Sequence, residues 1–119
     1  MQRFKNILIV LDYLNKSEAL IDWRKDAVQL ERQVRAFNPW PVAQTRFRGE
    51  VLRVWDARAI ADGGAAMTPG AVVAAGKQGI DVACAQGCLR LLTIQLPGGR
   101  PLAAADFLNS RRVDGMVLG

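Results

Sequence analysis

The chain has 119 residues, with sixteen Lys and Arg against eleven Asp and Glu, and contains no histidine. That length suits one domain and is too short for two well-cored ones. Without imidazole, Ser-His-Asp and Cys-His catalysis and every His-bearing zinc site are excluded, so any acid–base chemistry must come from carboxylates, Lys or Cys. Half of the residues are apolar and 23% are charged, the balance of a soluble globular domain. Twelve of the sixteen cations are Arg, whose planar fork suits phosphate oxygens. The net charge of +5 therefore points to nucleic acid or another polyanion, beside the plainer reading of a generally basic protein. Only Cys84 and Cys88 are present, which fits a reduced compartment. The longest aliphatic run, Ile7 to Leu11, is far short of the roughly 20 residues that span a bilayer. It also lacks the features of a signal peptide, so the expectation is a cytoplasmic protein with no membrane association.

In chain order, Ile7-Leu8-Ile9-Val10-Leu11 reads as a strand. Tyr13 to Trp23 is a polar connector in which Ser17 before Glu18 caps a short turn. The period then changes: Ala27, Leu30, Val34 and Phe37 form one apolar stripe, predicting a helix from Asp26 to Phe37. Asn38-Pro39-Trp40-Pro41 must end it. Beyond Pro41 come short segments punctuated by glycine. Val42 to Phe47 is a strand, Arg48-Gly49-Glu50 a turn, and Val51 to Ala57 a strand with Val51, Arg53 and Trp55 on one face. Ala61 to Pro69, with Gly63-Gly64, is a loop. Strands at Gly70–Ala75 and Gly79–Ala85 flank a turn, Cys88 to Leu96 is a further strand, and Leu102 to Arg112 is a short helix. About five strands with one helix before them and a short one after predict a mainly β fold, a small OB-like Greek-key barrel.

Enzymatic motifs are lacking. The glycine pairs are not followed by a Gly-Lys-Ser/Thr cradle. The carboxylates Asp56, Asp62, Asp81, Asp106 and Asp114 show no pairing. Two thiols fall short of a four-ligand zinc site, so Cys84 and Cys88 are read as small packed residues. No catalytic residue, metal ligand or cofactor site is therefore assigned. Trp40 is read as packing under the helix it terminates, with base stacking as the other reading. The arginines are the most informative feature. If the barrel brings several to one side, they form a phosphate-binding strip, and otherwise they are a solvated face paired with Glu31 and Glu50.

One resemblance is specific. Ile21-Asp22-Trp23 followed by the run from Ala27 to Ala43, with Arg35-Ala36-Phe37-Asn38-Pro39-Trp40-Pro41 at its centre, resembles the start of the C-terminal domain of bacterial methionyl-tRNA formyltransferases. Pro69-Gly70, Gly79-Ile80, Leu89-Arg90-Leu91-Leu92, the run from Gln95 to Leu102, and Phe107-Leu108-Asn109-Ser110-Arg111-Arg112 continue it. The resemblance divides the chain into residues 1–22, a strand and connector unlike the linker that enters this domain in the family, and residues 23–119, the family-like domain. It implies an OB-like barrel that helps to hold initiator methionyl-tRNA for formylation at translation initiation, on its acceptor and D-stem side. Formyl transfer from 10-formyltetrahydrofolate would belong to a separate catalytic domain, whose Asn, His and Asp constellation does not occur here, so the chain alone is expected to be inactive. Arg32, Arg35, Arg46, Arg48, Arg53, Arg90, Arg100, Arg111 and Arg112 are the candidate tRNA-binding residues. The competing expectation is a self-associating structural or interaction module without RNA binding, with Ile7–Leu11 pairing with a barrel edge or a second copy. Complementation of a catalytic domain in trans is the remaining enzymatic option.

Overall fold

The computed structural model describes residues 18–61 and 67–119. The expected strand at Ile7–Leu11 with its proposed pairing, the Ser17 cap and the Gly63-Gly64 turn lie outside those residues. Helix α1 spans Ala27–Ala36 and starts where the sequence puts a carboxylate: the Asp26 side chain accepts from the Val28 amide and the Gln29 side chain accepts from the Asp26 amide, a capping box. Ala27, Leu30 and Val34 are its buried stripe, and Arg35 lies in the last turn, where a cation suits the helix dipole. Phe37 is the C-cap, just beyond the helix.

The segment that ends α1 departs from expectation. Both Asn38-Pro39 and Trp40-Pro41 are cis peptide bonds. The Val42 amide donates to the Phe37 carbonyl at 2.8 Å, closing Asn38–Pro41 into a loop. Pro41 and Val42 take the buried positions, and Trp40, expected beneath the helix, is turned outward and 55% exposed.

Among the described residues, six strands follow in one antiparallel sheet: β1 Ala43–Phe47, β2 Glu50–Ile60, β3 Val72–Gly76, β4 Gly79–Ala83, β5 Cys88–Gln95 and β6 Leu102–Ala103. The order is β1-β2-β5-β4-β3, with β6 on β5. One side of β5 is taken by β2. On its other side Cys88 to Leu91 pair with β4, and Thr93 and Ile94 pair with β6. The C-terminal residues join the two outer strands of this order. Met116 accepts from the Val72 amide, Leu118 donates to Gly70 O at 2.7 Å, and Gly119 donates to Arg46 O at 3.1 Å. The tail thus connects the β3 side to β1, the closure expected of an OB-like barrel.

Trp23 lies at that seam. It is 5% exposed, its Nε1–H donates to Thr45 Oγ1 at 3.0 Å, and Gly70 and Gly119 pack against its ring. Around it lie Leu30, Leu52, Val54, Ile80, Val82, Leu89, Leu91, Ile94 and Phe107, all in one buried cluster. Cys84 and Cys88 are both buried at the β4–β5 turn, filling space as small apolar residues. Burial pushes the Cys84 thiol up to about 11.

Two elements differ from the sequence pattern. Strand β2 runs on to Ile60 because register shifts between Val54 and Ala57 break the two-residue alternation while pairing with β5 continues to Ile60↔Cys88. The expected helix from Leu102 to Arg112 is split. Leu102 and Ala103 are drawn into β6 by the open edge of β5, and helix α2 covers only Ala104–Leu108. Asn109 and Ser110 then donate to Asp106 and Phe107, a three-residue spacing that tightens and ends the turn.

Trp23→Phe keeps the ring but strands the Thr45 hydroxyl, and should lower the unfolding free energy by about 1–2 kcal/mol. Urea titrations should show part of that loss recovered in the Trp23→Phe/Thr45→Val double variant. Gly70→Ala should cost about 2 kcal/mol or more, because φ is +91° and a Cβ would meet Leu118 O at 2.5 Å. The raised Cys84 thiol favours the folded chain while protonated, so its contribution is complete below pH 9 and fades as pH rises through about 11. Unfolding free energies at pH 8 and 10.5 should therefore fall less steeply in Cys84→Ala than in the unmodified chain, by up to about 2 kcal/mol.

Candidate anion-binding surface

The hairpin joining β1 to β2 sets the geometry. Phe47 pairs with Glu50, and the two residues between them, Arg48 and Gly49, have φ of 51° and 81°. Positive φ at both positions is the two-residue turn that follows strand twist. Along β1, Ala43, Thr45 and Phe47 point into the core while Gln44 and Arg46 face out; along β2, Leu52 and Val54 are buried and Arg53 is exposed.

Three arginines converge at the hairpin end. The Arg48 guanidinium lies over the Phe47 ring, 5.4 Å from its centre. Phe47 meets Phe107 edge to face, with centroids 5.5 Å apart. The Arg111 guanidinium lies over Phe107 at 5.2 Å. Arg46 Nη1 reaches the Gly49 carbonyl at 3.4 Å. Residues from the β1–β2 turn and from the chain after α2 are thus brought together, with exposed Arg112 next in sequence. Each ring face holds a cation by quadrupole attraction while its other contacts stay in the core. Among the described residues, neither these four arginines nor Arg53 has a carboxylate within ion-pair distance.

The other candidates lie apart. Arg32 is exposed on α1, beside a shallow groove that Lys25, Gln29 and Phe37 also line. Arg35 pairs with Glu31, and Glu31 also accepts from the Ala59 amide at 2.6 Å, which fastens α1 to β2. Arg90 gives two nitrogens to Asp81, at 2.8 and 3.1 Å, linking β5 to β4. That bidentate contact pushes the Arg90 guanidinium above its ordinary pKa and occupies the fork that a phosphate would need. Arg100 is exposed in the turn after β5. Arg24, outside the sequence candidates, is bound to Asp22 and holds that carboxyl below its ordinary range.

Register adds residues that sequence reasoning missed. Gln44 lies opposite Arg53, and Arg53 opposite Gln95, so the three form one row across β1, β2 and β5. Trp55 Nε1–H donates to Gln95 Oε1, and Gln95 Nε2 donates to Gly99 O, both at 2.8 Å. The alternation of Val51, Arg53 and Trp55 was visible in sequence, but nothing local linked it to Gln44 or Gln95. No group of three or more Cys, Asp and Glu among the described residues could hold a metal ion, and no described helix is long and apolar enough to cross a membrane. The surface offers anion-binding chemistry: unpaired guanidiniums on an apolar support.

Residues 13–112 match the family described as formyl transferase, C-terminal domain. The methionyl-tRNA formyltransferase of Methylococcus capsulatus is 50% identical over 106 residues, covering 89% of this chain and 34% of the relative. That of Stenotrophomonas maltophilia is 54% identical over 100 residues, covering 83% of this chain and 32% of the relative. The chain thus spans about a third of the length of the curated relatives it matches. Among solved structures, HypX from Aquifex aeolicus in complex with tetrahydrofolic acid shares the fold with a TM-score of 0.59 and 20% identity, over 76% of this chain and 16% of that one. Half-identical relatives, a shared fold and a match over nearly the whole described barrel agree: the chain belongs to the formyl transferase C-terminal domain family.

Proposed function

We propose that the chain is the tRNA-holding domain of a methionyl-tRNA formyltransferase, working in the cytoplasm on residues 23–119. It grips the phosphate and sugar backbone of initiator methionyl-tRNA, while formyl transfer is left to a separate catalytic domain. The observation that carries this reading is the convergence of Arg46, Arg48 and Arg111 at one end of the barrel, none of them in an ion pair with a carboxylate among the described residues. Phosphate contacts made there release counterions and position an RNA without reading its sequence. Arg53 and Arg112 extend the surface, and exposed Arg32 and Arg100 flank it as outer contacts. Arg35 and Arg90, whose charges are offset by Glu31 and Asp81, serve the fold rather than phosphate contacts.

The test is a tRNA filter-binding titration between 50 and 200 mM salt. Affinity should fall steeply with salt, and Arg48→Ala/Arg111→Ala should weaken binding about tenfold or more while making the log–log salt slope shallower by roughly 2. Affinity indifferent to salt, or equal in the double variant, would overturn the reading. Arg90→Ala should instead show its main effect in thermal melting, since it leaves the half-buried Asp81 carboxylate without its partner.

A further inference from the structure

Beside the arginine cluster, the outer faces of β1, β2 and β5 form a groove of about 510 Å³ lined by Gln44, Val51, Arg53, Gln95, Leu96 and Pro97. That volume lies in the usual range for a small-molecule site. We propose that this groove is a subsite for one unpaired nucleotide, with its phosphate on Arg53, its base edge on the Gln44 carboxamide and its base face against Val51, Leu96 and Pro97.

The groove wall is braced. Gln95 accepts from the Trp55 indole and donates to the Gly99 carbonyl, and the Gly99 amide returns to Leu96 O at 3.1 Å. These bonds fix the turn carrying Leu96, Pro97 and Gly98 relative to the floor of the groove. They also use both ends of the Gln95 side chain, which leaves two polar groups of the row for a ligand. Among the described residues, the Arg53 guanidinium and the Gln44 carboxamide make no hydrogen bond or ion pair within the protein. The two are directly opposite in the β1–β2 register.

This combination matches a nucleotide part by part. A single guanidinium takes one phosphate bidentately. A carboxamide, with both a donor and an acceptor, pairs with a base edge, as Gln does with adenine. The apolar side chains cover a base face. An acidic peptide fits less well. It would bind such a site by adding a strand, but β2 already has β1 and β5 on its two sides, and β1 is hydrogen-bonded on its outer side to Ala19, Ile21 and Gly119. A double-stranded stem presents its phosphates with the bases turned inward, so the groove selects an unstacked nucleotide.

The proposal rests on the RNA reading for its biological ligand, and its test uses mononucleotides so that the two can fail separately. Equilibrium dialysis of the full chain with adenosine 5′-monophosphate should give saturable, millimolar binding, tighter than that of adenosine or inorganic phosphate alone. Arg53→Ala should weaken it at least tenfold, and Val51→Trp should block it, both with unchanged thermal melting. Arg48→Ala/Arg111→Ala should leave it intact while losing tRNA affinity, which separates the groove from the cluster. The proposal is overturned by absence of saturable binding, by phosphate binding as well as the nucleotide, by an oligoglutamate competing equally, or by binding that survives both groove substitutions.

Discussion

The hydrogen bond from Trp23 to Thr45 is the constraint on which the remaining architecture depends. It ties the segment before α1 to β1 inside the core, where an unpaired indole N–H or hydroxyl would cost about 1–3 kcal/mol. Thr45 is the one polar residue fully buried among those described. The bond therefore fixes which residue of β1 faces inward, and the two-residue strand period does the rest. A slip by one position would bury Arg46 and Gln44 and expose Phe47. The same indole forms the surface on which Gly70 and Gly119 close the barrel, and a side chain at Gly70 would strike Leu118. The seam and the outward-facing row of polar residues are thus two consequences of one buried contact.

Phe47 and Phe107 carry that order from the core to the surface. Both rings are almost fully buried, and their edge-to-face contact joins β1 to α2. Each also presents a face to an arginine. A guanidinium on a long, mobile side chain loses rotamer entropy when it is fixed, and stacking on an aromatic face offsets part of that loss without neutralising the charge. A carboxylate would order the side chain equally well, but it would cancel the field that an anionic ligand needs. The chain uses both solutions in different places. Glu31 orders Arg35 along α1 and Asp81 orders Arg90 between β4 and β5, and phenylalanines order Arg48 and Arg111 where the charge stays available.

How much of this was legible in the sequence follows from the range of each signal. The start of α1 at Asp26, its apolar stripe and the break at Pro39 are local, and the pattern places them within a residue, whereas the capping bonds between Asp26 and Gln29 emerged only from the structure. The alternation of β2 is readable until the bulge near Asp56, after which Asp56, Ala57, Arg58 and Ala59 alternate again with the phase shifted by one residue. The Ala-rich run after Pro101 reads as helix because helix propensity is local, whereas the open edge of β5 that takes Leu102 and Ala103 is not. Trp40 misleads for the same reason: the Phe37–Val42 bond that turns it outward depends on how the loop closes. The candidate surface was legible only as a pool of arginines. Sorting them required partners from other strands, Asp81 nine residues before Arg90 and Phe107 far from Phe47.

The missing imidazole gains meaning from this sorting. A binding surface for a polyanion works through charges that do not change with pH, and guanidinium meets that need because it stays protonated throughout the physiological range. Histidine at the same positions would make the grip vary with small changes in acidity. The net charge of +5 is likewise not spread evenly. Asp22, Glu31 and Asp81 are taken up by Arg24, Arg35 and Arg90, whereas Glu50, which flanks the hairpin turn, makes no ion pair with Arg46, Arg48 or Arg111. Placement therefore matters more than total charge.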